Sequence, residues 1–329
     1  MSELRNRNRQ PAREHCPSCK HSTASSMSIG ALAEILEGHV HWADLPPLGG
    51  HLEPVRRWIP FGVPVEPGDV VFASGSDDEQ FLEHAFTQQA LAVVSRRRVQ
   101  PWDGCASIQV DDCGTAQLRL CAWLRSQLSG ATVMILHGDG NDLEWRMLRQ
   151  VLAGHASPAR ESRTNPSDPT WQFLDTRTDD RYVVVDASPA TFSHDLVAVL
   201  QPDVVVLTDE CAARLAVTAF DTLRPGTQLV VNADRVTFRD LCGQRPTGVL
   251  RFGRDNQDYD IYWSSVGERQ DRIFLECRGQ SVAIPEECDG AMSVVGCLAA
   301  VAYCLGTDLA PVIAEFAEKK KKTPELIWT

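Results

Sequence analysis

Four segments of this chain are almost unbroken runs of Val, Leu and Ile: Thr132–Leu136, Tyr182–Asp186, Asp203–Thr208 and Thr227–Asn232. A strand that alternates polar and apolar residues can face water on one side. A continuous apolar run cannot, and it demands a sheet covered on both faces, which in practice means parallel strands linked by helices. Upstream, Asp69–Ala73 follows a Pro-Gly turn and reads as another buried strand, as do Ala90–Val94 and Ala106–Val110. Helical spacing lies between and before them. Ser28–Gly38 places Ile29, Leu32, Ile35 and Leu36 on one face, with Ser28 as N-cap and Gly38 as stop. Asp78–Gln89 and Thr115–Leu128 repeat the pattern, the latter through Leu118, Cys121, Ala122 and Leu124. Short strands over 248–284 form a β-rich extension, and Met292–Leu305 is a helix. The expected architecture is α/β: a small N-terminal α/β domain over 27–129, then a central domain over 130–317 with a mostly parallel sheet flanked by helices. Residues 1–26 are polar and aperiodic and read as a disordered tail, and 318–329 as a charged tail that opens with Glu318 and four lysines.

Charge and composition narrow the function. A net charge of -12 repels phosphate backbones, which argues against nucleic acid as a partner. The N-terminus lacks the apolar core of a secretory signal, and Ala291–Leu305 is short for a bilayer span, so a cytoplasmic protein without a membrane span is expected. In that compartment the 11 cysteines are reduced thiols. Cys16 and Cys19, flanked by His15 and His21, have zinc-ligand character, but the second Cys pair that a structural zinc site normally supplies is missing. No Gly-x-Ser-x-Gly elbow or His-Glu-x-x-His occurs, and His84 and His194 sit in helical context as surface residues.

The order of several short words resembles the Mur ligases, the ATP-driven family that builds the peptidoglycan stem peptide, and in particular its D-alanyl-D-alanine-adding members. Pro67–Ala73 resembles the family's "pGdlFvA" strand, and Val110-Asp-Asp112 with Ala116 and Leu118 its "VkDt…AL" joint. Pro202–Thr208 resembles "PdiavlTN", Asn232-Ala-Asp234 "NaD", Arg251-Phe-Gly253 "tfG", and Gly290–Ala302 the "GrHNvyNalAAiA" helix. The likeness runs from about Ser28 to Phe316 and lies in scaffold words. It implies a UDP-binding-type first domain and an ATPase-type central domain. In the family a third domain holds the amine donor, and this sequence ends at Thr329, where that C-terminal ligase domain is expected to begin.

The chemistry-bearing positions depart from the family. A phosphate loop needs glycine N–H groups, a Lys on the β and γ charges, and a hydroxyl on Mg²⁺. Here Gly138 and Gly140 remain, while Asn141 takes the place of the Lys and Asp142 that of the hydroxyl residue. Losing the charged Lys contact alone costs about 1.5–3 kcal/mol, and Asp142 adds repulsion. Asp186 stands where the family holds a second Mg²⁺ ligand; it also suits a helix N-cap, the reading we favour. Asp209 and Glu210 read as a helix start. The stretch from Asp209 to Gly226 lacks the family's metal-binding His and carbamylated Lys, and His-Asn-x-x-Asn has become Met292-Ser-Val-Val-Gly296. The Asp-Ser-Arg that meets the UDP end aligns with Phe61-Gly-Val63. No cofactor is therefore expected, with ATP and Mg²⁺ entering only under a ligase reading. The expectation is a non-catalytic homologue that acts as a binding, regulatory or scaffold partner in peptidoglycan precursor metabolism, joined to an unidentified protein partner. The alternatives are an ATP-dependent ligase active with altered residues or with a second chain, and a module that binds a UDP-sugar.

Overall fold

The computed structural model describes residues 27–73, 79–138, 151, 168–236, 248–254, 256–266, 272–277, 280–285, 288 and 291–322. Of the sequence-derived site residues, Gly140, Asn141, Asp142, Cys16 and Cys19 lie outside these.

Helix α1 (Ile29–Leu36) opens the fold, with the Ser28 hydroxyl accepting from Ala31 N and Glu37 closing it in the left-handed region, one residue before the expected Gly38. Strand β1 (His39–Trp42) follows, then β2 (Arg57–Pro60), β3 (Asp69–Phe72), α2 (Glu79–Thr87), β4 (Ala92–Ser95), β5 (Ala106–Gln109) and α3 (Cys113–Gln127). They form a five-stranded sheet in the order β1-β5-β4-β3-β2, parallel from β2 to β5, with β1 antiparallel on the edge. Neither β1 nor β2 is marked by sequence pattern: the half-exposed His39–Trp42 run and the Pro60 end of β2 carry no apolar periodicity.

The second sheet begins with β6 (Ala131–Leu136). Then come α4 (Pro169–Leu174), β7 (Tyr182–Ala187), α5 (His194–Leu200), β8 (Val204–Leu207), α6 (Glu210–Ala219) and β9 (Gln228–Asn232). The β-rich extension is four strands, β10 (Gly248–Arg254), β11 (Ile261–Val266), β12 (Arg272–Cys277) and β13 (Gln280–Ile284), followed by α7 (Met292–Cys304) and α8 (Leu309–Lys322). The extension joins the parallel sheet edge-on, giving eight strands in the order β13-β12-β11-β10-β9-β8-β6-β7. Pairing is parallel from β7 across to β11 and antiparallel for β12 and β13. The lysine run opens as the last turns of α8.

The layers share cores. One face of the first sheet packs on α2. Its other face meets α1 and α3, and the same cluster continues through α4, α5 and α6 to one face of the second sheet. The far face of the second sheet is covered by α7 and α8. Helix α3 is thus a filling between two sheets, and its Arg125 donates to the Leu200 carbonyl at 2.8 Å. Across the same seam the Trp58 indole N–H donates to Leu174 O at 2.8 Å, both buried, and Phe72 meets Trp171 edge-on at 5.5 Å. A shared core of this kind resists relative motion of the sheets, because separating them would expose it to water.

Two scaffold words meet in space. An added Cβ on Gly253 would fall 2.6 Å from Asp234 Oδ1, so only glycine lets the Asn232-Ala-Asp234 turn close against β10, where Asp234 accepts from Arg254 N at 2.8 Å. No described helix is long and apolar enough to cross a membrane.

Candidate functional site

In an open parallel sheet, ligands bind beyond the carboxyl ends of the strands, at the point where successive strands leave in opposite directions. That point here is β6, with β7 on one side and β8 on the other. Its rim carries His137 and Gly138 after β6, Asp186 and Ala187 at the end of β7, and Thr208 and Asp209 after β8. Asn232 ends β9 beside them, its amide donating to Ser293 Oγ of α7 at 3.2 Å.

Asp186 is buried, and it is not a helix cap: α5 is capped by Ser193. The cap reading fails because seven residues, 187–193, separate Asp186 from the first residue of α5, whose N–H groups need an acceptor. The Asp186 carboxylate instead faces His137, with Nε2 to Oδ1 at 2.5 Å, both side chains under a tenth exposed. The contact is an electrostatic pairing without hydrogen-bond alignment. Asp186 N is held by Gln172 Oε1 at 2.8 Å, which fixes the strand end. On the other side of the ring, His137 Nδ1 lies 2.8 Å from Gly138 O. A carbonyl only accepts, so Nδ1 carries a hydrogen.

Asp209 sits on the glycine turn. Its Oδ2 accepts from Gly138 N at 2.7 Å, and its Oδ1 accepts from Ala212 N at 2.8 Å, capping α6. The carboxylate lies so close that a Cβ on Gly138 would fall 2.9 Å from Oδ2. The helix-start reading of Asp209 and Glu210 therefore holds, with Asp209 as N-cap and Glu210 in the first turn, and the second Asp209 oxygen also takes the Gly138 N–H.

The α7 side is filled with hydrocarbon. Gly296 packs so tightly that a Cβ would lie 2.7 Å from the Trp263 ring and 2.9 Å from Phe252. Met292 is buried in the same cluster. Where the resemblance expects the asparagines of His-Asn-x-x-Asn, this helix has traded polar reach for aromatic packing.

Magnesium triphosphate does not fit the described part of this rim. Asp209 sets a carboxylate on the glycine turn and Asp186 a second beside His137, where the negative charges of the phosphates would have to be met. A metal at Asp186 would have to displace His137. Among the described residues no group of three or more His, Cys, Asp or Glu side chains is placed to hold a metal ion. His137 was visible in sequence only as the last residue before a glycine turn; its pairing needs β6 and β7 to be neighbours, and 49 positions separate the partners.

The first sheet has its own recess at the carboxyl ends of β4 and β5. Its volume is about 260 Å³, and it is lined by Arg96, Arg97, Val110 and Asp111. Phe61-Gly62-Val63 follows β2 as the resemblance places it, with Phe61 exposed and Gly62 at φ 85°.

An open α/β chain of two sheets, the second parallel on both sides of its switch strand β6, defines the class. Among solved structures, the chain is similar to UDP-N-acetylmuramoylalanyl-D-glutamyl-2,6-diaminopimelate--D-alanyl-D-alanyl ligase from Acinetobacter baumannii. The TM-score is 0.69 at 14% identity, over 89% of this chain and 68% of that one. It is also similar to MurF ligase from Thermotoga maritima in complex with ADP, with TM-score 0.57 and 15% identity over 78% and 65% of the two chains. A third likeness is to a pseudomurein peptide ligase type C from Methanothermus fervidus, with TM-score 0.51 and 11% identity over 76% and 57%. No protein-family model and no curated protein matches the sequence. At these identities the likeness is one of fold: this chain has the Mur-ligase architecture, and the resemblance read from scaffold words is a resemblance of structure.

Proposed function

We propose that this chain uses a Mur-ligase fold without ligating, and acts as a binding, regulatory or scaffold partner in peptidoglycan precursor metabolism. The observation that supports this reading is Asp209: a carboxylate of the chain itself takes the Gly138 N–H that opens the glycine turn. An acid in that position repels what a phosphate loop attracts. The pairing of Asp186 with His137 supports it in the same direction, since the acid best placed for Mg²⁺ is already in contact with a side chain of the protein itself.

Calorimetric titration with ATP and Mg²⁺ tests the proposal. The expected result is no binding at millimolar nucleotide for the wild type. Micromolar binding by the wild type would sink the reading and reopen the ligase alternative. Asp209→Asn keeps an acceptor for Ala212 N while removing the charge, so any residual nucleotide affinity should rise in that variant.

The recess beside Arg96 and Arg97 favours a second reading, a module that binds a UDP-sugar without ATP. Two guanidinium groups suit a diphosphate, with Asp111 opposing them. Titration with UDP-N-acetylmuramoyl tripeptide, wild type against Arg96→Glu, separates the two: saturable binding lost in the variant supports the module.

A further inference from the structure

Single exposed apolar side chains are ordinary; several together on a braced surface are not. Six large apolar side chains are exposed among the described residues, and four lie in two touching loops: Leu45 at 65%, Leu48 at 109%, Leu52 at 81% and Trp102 at 49% exposure. The loops join where Gly104 N donates to Leu45 O at 2.7 Å and Leu45 N donates to Asp103 Oδ1 at 3.4 Å. They sit at the amino-terminal edge of the first sheet, since Trp42, the last residue of β1, pairs with Ala106, the first of β5. That edge is opposite to the carboxyl ends, where a parallel sheet takes small ligands, so a ligand crevice does not account for the exposed leucines.

The surface is built to hold still. Pro46 and Pro47 fix the backbone between two leucines, and Pro47 is itself buried. Gly50 N donates to Pro47 O at 2.8 Å, Leu52 N to Gly49 O at 2.9 Å, and Gly49 N to Glu53 Oε2 at 2.9 Å. A pre-ordered loop loses little entropy when something docks on it.

Its charge selects the occupant. Residues 43–53 and 101–105 contain Asp44, Glu53 and Asp103 and no Lys or Arg. The neighbouring Arg56 is engaged by Glu66 at 2.8 Å. His51 is engaged within the surface itself, its Nε2 accepting from the Trp42 indole N–H at 3.3 Å. A second copy of the chain packed on the patch about a two-fold axis would set these acids against themselves.

We propose that Leu45, Leu48, Leu52 and Trp102, within the rim of Asp44, Glu53 and Asp103, form a docking surface for a different protein, one presenting apolar side chains flanked by lysine or arginine. The proposal rests on the partner reading above only for the existence of a second protein. It is independent of nucleotide binding, so the ATP titration can fail while this surface stands, and the reverse.

The test titrates the full chain with a short synthetic peptide of Leu and Phe flanked by lysines, and with its glutamate-flanked twin. The lysine peptide should bind and the glutamate twin should not. Leu48→Asp/Leu52→Asp adds two negative charges, so attraction by charge alone would tighten binding in the variant; docking on the apolar patch predicts at least about tenfold weaker binding. Trp102→Ser should weaken it in the same direction, and unchanged thermal melts would show both variants folded. Equal or tighter binding by the double variant overturns the proposal, as does failure of the lysine peptide to bind at millimolar concentration. A dimer seen by sedimentation in the wild type and lost in the double variant also overturns it, in favour of a second copy.

Discussion

Asp69 and Asp186 are both buried carboxylates on parallel strands, and they are held in opposite ways. Asp69 begins β3 in the first sheet. Arg57 grips it with Nε and an Nη, each at 2.7 Å, and Glu66 N donates to it at 2.7 Å. That hydrogen bonding raises the Arg57 pKa and locks the amino-terminal edge of the strand. Asp186 ends β7 in the second sheet. Its partner is a single imidazole, that of His137, in a contact without hydrogen-bond alignment. The two acids stand at opposite strand ends: Asp69 begins its strand at the amino-terminal edge, and Asp186 lies at the carboxyl edge, the end of a parallel sheet where ligands generally bind. A bidentate guanidinium holds the first, and one imidazole contact the second.

The largest effect should separate these two acids. Asp69→Ala removes the bidentate partner of Arg57 and the acceptor of Glu66 N, leaving the half-buried guanidinium with Glu66 at 3.5 Å and Pro64 O, and should destabilise the fold by about 3 kcal/mol, the low end for breaking a buried pair. Asp186→Ala should cost about 1–3 kcal/mol, because it removes one contact without hydrogen-bond alignment while His137 keeps its contact with Gly138 O. Denaturant unfolding of both variants checks the ordering. Equal losses would mean that Asp186 is as much a fastening as Asp69, and the contrast between the edges would be gone.

Asp209→Ala comes next, at about 1 kcal/mol, the ordinary cost of an N-cap. If Asp209 does nothing beyond capping α6, Asp209→Ser should restore nearly all of that loss, since serine caps equally well. If its contact with Gly138 matters, serine, which is shorter by one atom and uncharged, should leave a deficit and faster amide exchange at Gly138.

How far the sequence discloses this contrast depends on how local each contact is. The strands β6 to β9 and the helices α1, α3 and α7 are visible because burial forces a continuous or 3.6-residue apolar pattern on nearby residues. Strand β2 is not, because Arg57 and Pro60 interrupt it and its burial is imposed by neighbours brought in from elsewhere. Asp69 could be placed on a strand from Pro67-Gly68, yet its ion pair spans a loop of no pattern. The rim is less accessible still. His137, Asp186 and Asp209 meet only once the chain has crossed β6 in both directions, so the helix-start reading of Asp209 could be made locally and its grip on Gly138 could not. Gly296 shows the same limit: beside Met292 it reads as a lost polar position, and only the Trp263 and Phe252 rings explain what replaced it.

The smallest effect concerns Asp112, at the joint that leads from the first sheet into α3. Its carboxylate accepts from Thr115 N at 2.7 Å, and this backbone hydrogen bond, the largest cause, lowers its pKa. For an acid with a depressed folded-state pKa, the added stability is present above the unfolded value, near 3.9, and is lost as pH falls through the folded one. Asp112→Asn keeps an oxygen acceptor without the charge. It should unfold like the wild type at low pH and be slightly less stable at neutral pH, by about 0.5 kcal/mol at most for so exposed a cap. Because α3 is the filling between the sheets, its amino terminus reports on both, and the pH series can be read from the global melt. A deficit that persists at pH 2 would show that Asp112 fastens the joint by geometry alone, as serine fastens α1, and that charge at this helix end contributes nothing.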